Sequence, residues 1–413
     1  MKRRVVITGL GAVTAVGEGA QALWTAALEG RSGVGRVRLG GEGGLDFPGA
    51  AIRDFIPEKF VTQRKALKVM ARDIQLAVAA ADLAADDAGV KSLGNARDRF
   101  GILVGSGVLN HELDELAYSV SQSLGSDGRL DLLKFGSDGL SALFPLWLLK
   151  YLPNMPACHI SILLDLQGPS NTLTTGPSAG LQAVCEAARI IRRGSADLML
   201  AGGAESKLNP LGLSHYKMMG VLAGSEPGAV CRPFDERSSG IVVGEGAGFL
   251  VLDEFEHAKK RGARIYAEIT GFGVSYENGQ RIALETAVRE AGIAAGDVDY
   301  VQSCGLGLTA DDHKEADAIR EVFSGGSPLV SASKPLLGFT GFSAGALDLI
   351  LSTLAIQNGV IPPVTAEAGS GDKFGLRLVS GRPERKAVRH AVTNAFGLGG
   401  QCVSVATRPA EKS

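Results

Sequence analysis

The chain has little of what would place it outside an aqueous, reducing compartment. Its five cysteines (Cys158, Cys185, Cys231, Cys304 and Cys402) are scattered over 413 residues without CxxC spacing, and its six histidines are equally dispersed. That pattern argues against a zinc site, and a cytoplasmic location is expected. No run of 18 apolar residues occurs, so no transmembrane helix is expected. The opening MKRRVVITGLGAV is not expected to act as a signal peptide, because its apolar stretch is short and glycines stand where a cleavage site would be. Charge of one sign is missing too. Lys and Arg number 42 against 44 Asp and Glu, a net charge of −2, and nothing suggests nucleic acid or an acidic membrane surface.

What is present reads as a soluble globular protein. Hydrophobic residues make up 45% and charged residues 21%. The length allows two or three domains and a large core. The 56 glycines imply tight turns and close backbone approaches.

Strand-like apolar runs alternate with helical patterns. Arg4 to Thr8, Phe100 to Val104, Leu198 to Ala201 and Phe249 to Leu252 read as buried strands, and Ala71 to Ala88 as an Ala-rich helix. A second half begins near Glu254 and repeats the style. Its strands are Ile265 to Ile269 and Tyr300 to Ser303, its helices Ile282 to Ala291 and Lys314 to Val322. A Gly-rich turn and helix over Gly341 to Ala355 and strands at Arg389 to Thr393 and Cys402 to Ala406 complete it. The alternation predicts parallel-rich sheets covered by helices, in halves 1–253 and 254–413 that pack as one body. Gly9 and Gly11 form a GxG run, but no GxGxxG completes it and no acidic residue ends a second strand, so it does not define a dinucleotide loop.

Residues 168–180 read GPSNTLTTGPSAG and lead into LQAVCEAARIIRRG, whose Leu181, Val184, Cys185, Ala188 and Ile191 form one helical face. A Gly-rich turn entering a buried helix is where many α/β enzymes hold a nucleophile. Here its centre is Gly176-Pro177-Ser178.

Several segments together resemble the elongating β-ketoacyl-acyl carrier protein synthases of the thiolase fold. They are RRVVITGLGAVTAVG, LQGPSNTLTTG, GSADLMLAGGAES, CRPFDERSSGIVVGEGAGFLVLDEFEHAKKRGARIYAEITGFG, VSASKPLLGFTGFSAGA and NAFGLGGQ. The resemblance covers nearly the whole chain. It implies a five-layer α-β-α-β-α sandwich of two related halves, each with a mixed five-stranded sheet. It also implies a dimer with the strand before the elbow near the interface, and neither cofactor nor metal.

In that family a cysteine at the elbow carries the acyl chain and two histidines assist decarboxylation of the malonyl carrier. The resemblance places Pro177 at the cysteine, Cys304 (in YVQSCGLGLTADDHKEAD) at the first histidine and Phe339 (in SKPLLGFTGFSAGA) at the second. No catalytic residue is therefore expected. Proline fixes φ near −65° and removes the backbone N–H that is half of the family's oxyanion hole; one such donor is typically worth about 10²- to 10³-fold in rate. Proline suits a first helical turn, so a relaxed elbow is expected, with Pro177 starting a helix that runs to about Arg193. Lys334 and Glu315 remain at family positions and read as a retained structural ion pair. The resemblance places Phe396 and Leu398, in NAFGLGG, at the gate to the acyl pocket, where active relatives carry phenylalanine at the second position and Leu398 stays apolar but changes the gate's shape.

Inactive members of the family, the chain length factors, pair with an active ketosynthase in type II polyketide or polyene synthesis and help shape the tunnel that holds the growing chain. The expected partner is thus a Cys-His-His ketosynthase, with acyl carrier protein reaching the chain through the complex. Well-known chain length factors carry glutamine at the elbow, and this chain departs from them there. Two rivals stand beside this reading: a homodimeric acyl-binding scaffold, and an acyltransferase with rebuilt chemistry at Ser178 or Cys304. Ser178 reads first as a helix-start hydrogen bonder and Cys304 as a small buried hydrophobe. The run SALFPLWLLKYLPNMPACHISILL reads as a buried helix and dimer strand, or else as a rebuilt interface with aromatic anchors. Lys65, Lys68, Arg192 and Arg193 could meet an acidic carrier, but such charged residues read first as solvated surface.

Overall fold

The computed structural model describes residues 3–39, 44–91, 97–107, 112–224, 231–277, 279–364 and 371–410. The principal strands are β1 (Val5–Thr14), β2 (Phe100–Gly105), β3 (Ser170–Leu173), β4 (Leu198–Ser206), β5 (Val243–Glu254), β6 (Ala267–Tyr276), β7 (Tyr300–Gln302), β8 (Leu329–Ser331), β9 (Arg377–Leu378), β10 (Ala391–Phe396) and β11 (Gln401–Arg408). The helices used below are α1 (Ala20–Glu29), α2 (Arg72–Asp87), α3 (Leu113–Gln122), α4 (Met155–Leu164), α5 (Ala179–Arg192), α6 (Pro210–Met218), α7 (Gln280–Ala291), α8 (Thr309–Val322) and α9 (Ala344–Asn358).

The strands run in the order β9-β8-β7-β10-β11-β6-β1-β5-β4-β2-β3. Within it β3, β2 and β4 are parallel neighbours, and β4-β5-β1 are antiparallel. The second half repeats this with β8, β7 and β10 parallel and β10-β11-β6 antiparallel. The halves join where Val5–Ile7 of β1 pairs with Ala267–Ile269 of β6. Helices α5 and α9 lie between the two sheets, α2 covers the first outside and α7 with α8 the second. This is the five-layer thiolase-like sandwich. Every residue of α9 from Ala344 to Ile356 is buried, as a middle layer requires.

Gly9 and Gly11 now have a packing reason. A Cβ on Gly11 would lie 2.0 Å from the carbonyl oxygen of Ala80, and one on Gly9 2.4 Å from that of Ala84. The Ala-rich face of α2 thus sits directly on β1. The second half uses the same device, where Cβ atoms on Gly271 and Gly273 would lie 2.3 and 2.1 Å from the carbonyls of Ala287 and Ala283 on α7.

The apolar run after residue 141 departs from the buried reading. Only Met155–Leu164 becomes an α-helix; Trp147–Lys150 is a short 3-10 turn. Phe144, Leu146 and Leu148 are exposed, and they extend a surface already carrying Tyr118, Leu132, Leu133 and Leu140. This segment is fastened at its base rather than packed throughout: the Tyr151 hydroxyl donates to Glu115 Oε2 at 2.7 Å, and Lys150 pairs with Glu115 as well. Beside it β3 ends the sheet, with Ser170 and Asn171 exposed.

Candidate functional site

The elbow follows from its local sequence. Gly176 takes the left-handed turn (φ 72°), which glycine adopts without a Cβ penalty. Pro177 then opens a 3-10 turn over Gly176–Ser178 that continues into α5. The helix ends at Arg192, with Arg193 as its cap, one residue short of expectation. Ser178 is fully buried, and its hydroxyl donates to the Thr175 carbonyl at 3.3 Å. It is occupied within its own turn.

The remaining sequence-derived positions come together. Cys304, Phe339 and Phe396 belong to one apolar cluster with Tyr216, Ile241 and Cys402, and Leu398 packs against it half-buried. Phe339 meets the edge of the Tyr216 ring at 6.0 Å between centroids. The Cys304 thiol is wedged against β10: it accepts from the Phe396 N–H at 3.3 Å and lies 3.6 Å from the Phe396 carbonyl. Burial pushes that thiol far above its usual pKa, which opposes thiolate formation. Pro177 lies beside the turn that follows Phe396. A Cβ on Gly397 would lie 3.4 Å from the proline Cδ.

Beneath the apolar cluster lies a buried polar layer, and here one expectation is corrected. Lys334 does not pair with Glu315. Its ammonium binds Asp348 Oδ2 at 2.7 Å, both side chains being 1% exposed. Asp348 Oδ1 accepts from Ser333 Oγ (2.5 Å) and Gln302 Nε2 (2.9 Å). Burial works against the lysine's charge, but Asp348, helped by the neighbouring Cys304 and Glu315, outweighs it and the pKa stands above its ordinary value. Glu315 instead accepts the backbone N–H groups of Cys304 (2.8 Å) and Gly305 (2.9 Å) and the Asn394 amide (3.1 Å). The physical reason is placement: Glu315 props up the β7–α8 turn through three donors, while α9 brings the Asp348 carboxylate against the lysine. Burial raises the Glu315 pKa. A charged carboxylate within an otherwise apolar helix, AGALDLILSTLAIQ, was the sequence signal for Asp348, because such a group needs a buried cation.

A cavity of about 130 Å³ opens on this layer, lined by Glu315, Asp312, Leu306, Phe396, Leu398 and Cys402 among others. Burial pushes Asp312 up to about 7, although it accepts from the N–H groups of Phe234 (3.0 Å) and Gly307 (3.2 Å). Sequence reasoning missed Gln401, whose carboxamide oxygen would lie 2.9 Å from a Cβ on Gly397 and 3.4 Å from one on Gly176. It lies over the elbow.

The described histidines are placed elsewhere. His257 binds Asp253 at 2.7 Å, His313 stacks on Phe374, and burial, then the nearby Arg408 charge, holds His390 below its ordinary pKa. His215 is exposed with its edge to Tyr216, and His159 sits on α4. Of the basic residues read as surface, Arg192 is not: its guanidinium binds Glu290 and the carbonyls of Ile269 and Thr270. Among the described residues no group of three or more His, Cys, Asp or Glu could hold a metal, and no helix is long and apolar enough to cross a membrane.

The comparisons agree with this architecture. Residues 2–258 match the beta-ketoacyl synthase N-terminal domain and residues 266–366 the C-terminal domain, so the chain belongs to the beta-ketoacyl synthase family. It is 32% identical to 3-oxoacyl-(acyl-carrier-protein) synthase 2 of Vibrio harveyi, with 97% of each chain covered. It is 35% identical to nodulation protein E of Rhizobium meliloti, covering 97% of this chain and 98% of that one. Among solved structures, the ishigamide ketosynthase/chain length factor superposes with a TM-score of 0.85 at 28% identity and complete coverage of both chains.

Proposed function

We propose that this chain is a non-catalytic ketosynthase homologue that pairs with an active β-ketoacyl-acyl carrier protein synthase and acts as its chain length factor in polyketide or fatty-acid-like synthesis. One observation carries the reading. The positions that would hold a nucleophile and two imidazoles hold Pro177, Cys304 and Phe339, and the latter two are sealed in a single apolar cluster. Acyl transfer needs an activated nucleophile with a base in reach, and the Cys304 thiol and Ser178 hydroxyl are both buried and engaged locally.

Pairing is supported by the surface. Tyr118, Leu132, Leu133, Leu140, Phe144 and Leu148 are 50% exposed or more, and β3 is the end strand of the sheet among the described residues. Apolar patches of this kind mark interfaces, and an unpaired strand edge invites another sheet. Acyl carrier protein would then meet the chain through the complex. The likeness to a ketosynthase/chain length factor structure is in keeping with this partner.

The test is assembly mass by native mass spectrometry, with the protein alone and then co-expressed with a Cys-His-His ketosynthase from the same source. A one-to-one heterodimer that weakens in Leu133→Asp supports the reading. A homodimer indifferent to the ketosynthase would overturn it.

A further inference from the structure

A cavity of about 410 Å³ opens outside the carboxyl ends of the parallel strands β7 and β8, where ligands commonly sit in open α/β sheets. Its volume falls within the roughly 300–1,000 Å³ typical of small-molecule sites. It shares no lining residue with the smaller cavity beside Phe396. Ala27 of α1 and the loop from Cys231 to Arg237 wall it on one side, and Leu351 of α9 with Val364 on the other.

Each polar side chain lining this cavity is already held by the protein. Inside, Ser331 Oγ donates to the Pro362 carbonyl at 2.7 Å, Ser333 Oγ and Gln302 Nε2 both donate to Asp348, and Gln302 Oε1 accepts from the Tyr300 hydroxyl. The Cys231 thiol lies 3.5 Å from the Leu306 carbonyl. At the mouth, Ser32 Oγ donates to the Pro335 carbonyl at 2.6 Å and accepts from the Val34 N–H at 3.1 Å. Arg237 grips Asp235 with Nε at 3.0 Å and Nη2 at 2.7 Å, and Arg232 and Arg237 have further partners. The rest of the lining is mainly aliphatic side chains and prolines.

We propose that this cavity binds a small uncharged apolar molecule, selected by shape and hydrophobicity rather than by charge. A charged head or a row of polar groups would shed its water without finding a free partner. Water in the cavity is short of partners too, since a well-held buried water makes about three hydrogen bonds. An apolar group that displaces such water gains affinity. Bound there, the ligand touches elements of both halves and ties them together. It also rests on Ser333 and Gln302, the residues that hold Asp348 beside Lys334. The site needs no partner subunit, so it stands or falls apart from the pairing proposed above.

Isothermal titration of the full chain with 1-decanol, decanoate and decylamine tests the site. 1-Decanol is expected to bind and to raise the melting temperature, as a ligand of the folded state does. Neither charged probe should bind more tightly than 1-decanol, and added salt should not weaken 1-decanol binding. Val34→Trp, at the half-buried mouth, and Ala27→Leu, in the wall, are expected to abolish it. Circular dichroism melting identifies any variant that fails to fold, and Val34→Trp keeps the test open if Ala27→Leu does. Leu398→Trp, which obstructs the smaller cavity, and Leu133→Asp, on the exposed apolar surface, should leave 1-decanol binding unchanged. Absence of 1-decanol binding to the parent overturns the proposal. Tighter binding of decanoate or decylamine does so too, because it would reveal a free counter-charge. Binding that survives Val34→Trp but is lost in Leu398→Trp or Leu133→Asp would move the ligand elsewhere and overturn it equally.

Discussion

The backbone N–H of Phe342 donates to Glu205 Oε2 at 2.7 Å, fastening the glycine-rich turn of the second half to a buried strand of the first. Glu205 is itself paired with Lys207. Gly341 has φ 50°, and a Cβ there would lie 1.3 Å from Glu205 Oε2. Glu205→Ala should therefore cost about 1–3 kcal/mol, the penalty of a buried N–H left unsatisfied. Gly341→Ala should cost more, because it adds both a clash and a strained φ. Urea unfolding measures both, and a Gly341→Ala variant within 0.5 kcal/mol of the parent, the scale of a neutral surface change, would refute the latch.

Lys334→Met removes one half of a fully buried ion pair. It leaves Asp348 buried without its cation, with only the Ser333 and Gln302 donors, and breaking such a pair costs about 3–5 kcal/mol. Glu315→Gln should be milder, since an amide oxygen still accepts some of the same N–H donors. Equal losses in the two variants would restore the Lys334–Glu315 pairing that the structure replaces.

Restoring the thiol alone should not restore chemistry. Pro177→Cys regains a nucleophile position and a backbone N–H but faces Cys304 and Phe339. No acyl-enzyme or malonyl decarboxylation is expected from it by mass spectrometry or CO₂ release. The triple change Pro177→Cys, Cys304→His, Phe339→His should give measurable decarboxylation if the fold survives two new polar rings in the apolar cluster. Activity in the single variant would show a base that the geometry does not provide.

Thiol titration reports on Cys304 directly. Cys185, Cys231, Cys304 and Cys402 are buried and only Cys158 is partly open. One thiol per native chain should react quickly with a disulfide reagent, and all five after unfolding. Rapid modification of Cys304, or its labelling by an acyl thioester, would favour rebuilt chemistry.

Asp73 predicts a pH dependence. Burial, and then the nearby Glu205 charge, push its pKa from 3.8 to about 7, against a hydrogen bond from the Ser206 backbone and the charge of Lys207. Between those pH values the folded state holds a proton that the unfolded state has lost. The stabilising contribution is full below pH 3.8 and declines as pH rises towards 7. Asp73→Asn should flatten that decline and exceed the parent at pH 8, by up to about 4 kcal/mol for a rise of about three pKa units at about 1.4 kcal/mol each. Melting temperatures across pH 4–8 decide it, and parallel curves would place the proton elsewhere.

Legibility followed the range of each interaction. Gly176 and Pro177 act through their own φ angles, so the relaxed elbow could be read locally, to within one residue at the far end of α5. The alternation of strand and helix is likewise local, and resemblance over the whole chain supplied the stacking of the halves. The apolar run at Phe144 to Leu148 misled, because hydrophobicity alone does not say whether a residue faces its own core or an open surface.

What is absent at the elbow needs no fold to read: Pro177 can supply neither a thiol nor a backbone N–H. The sequence also carried the resemblance that aligned Cys304, Phe339, Phe396 and Leu398 with the family's site. Which groups meet was settled by the packing of remote elements. It gave Lys334 to Asp348 because α9 runs between the sheets, and sealed Cys304 against β10. It also opened the larger cavity beyond β7 and β8. Those outcomes depend on where remote elements come to rest, which local propensity does not encode.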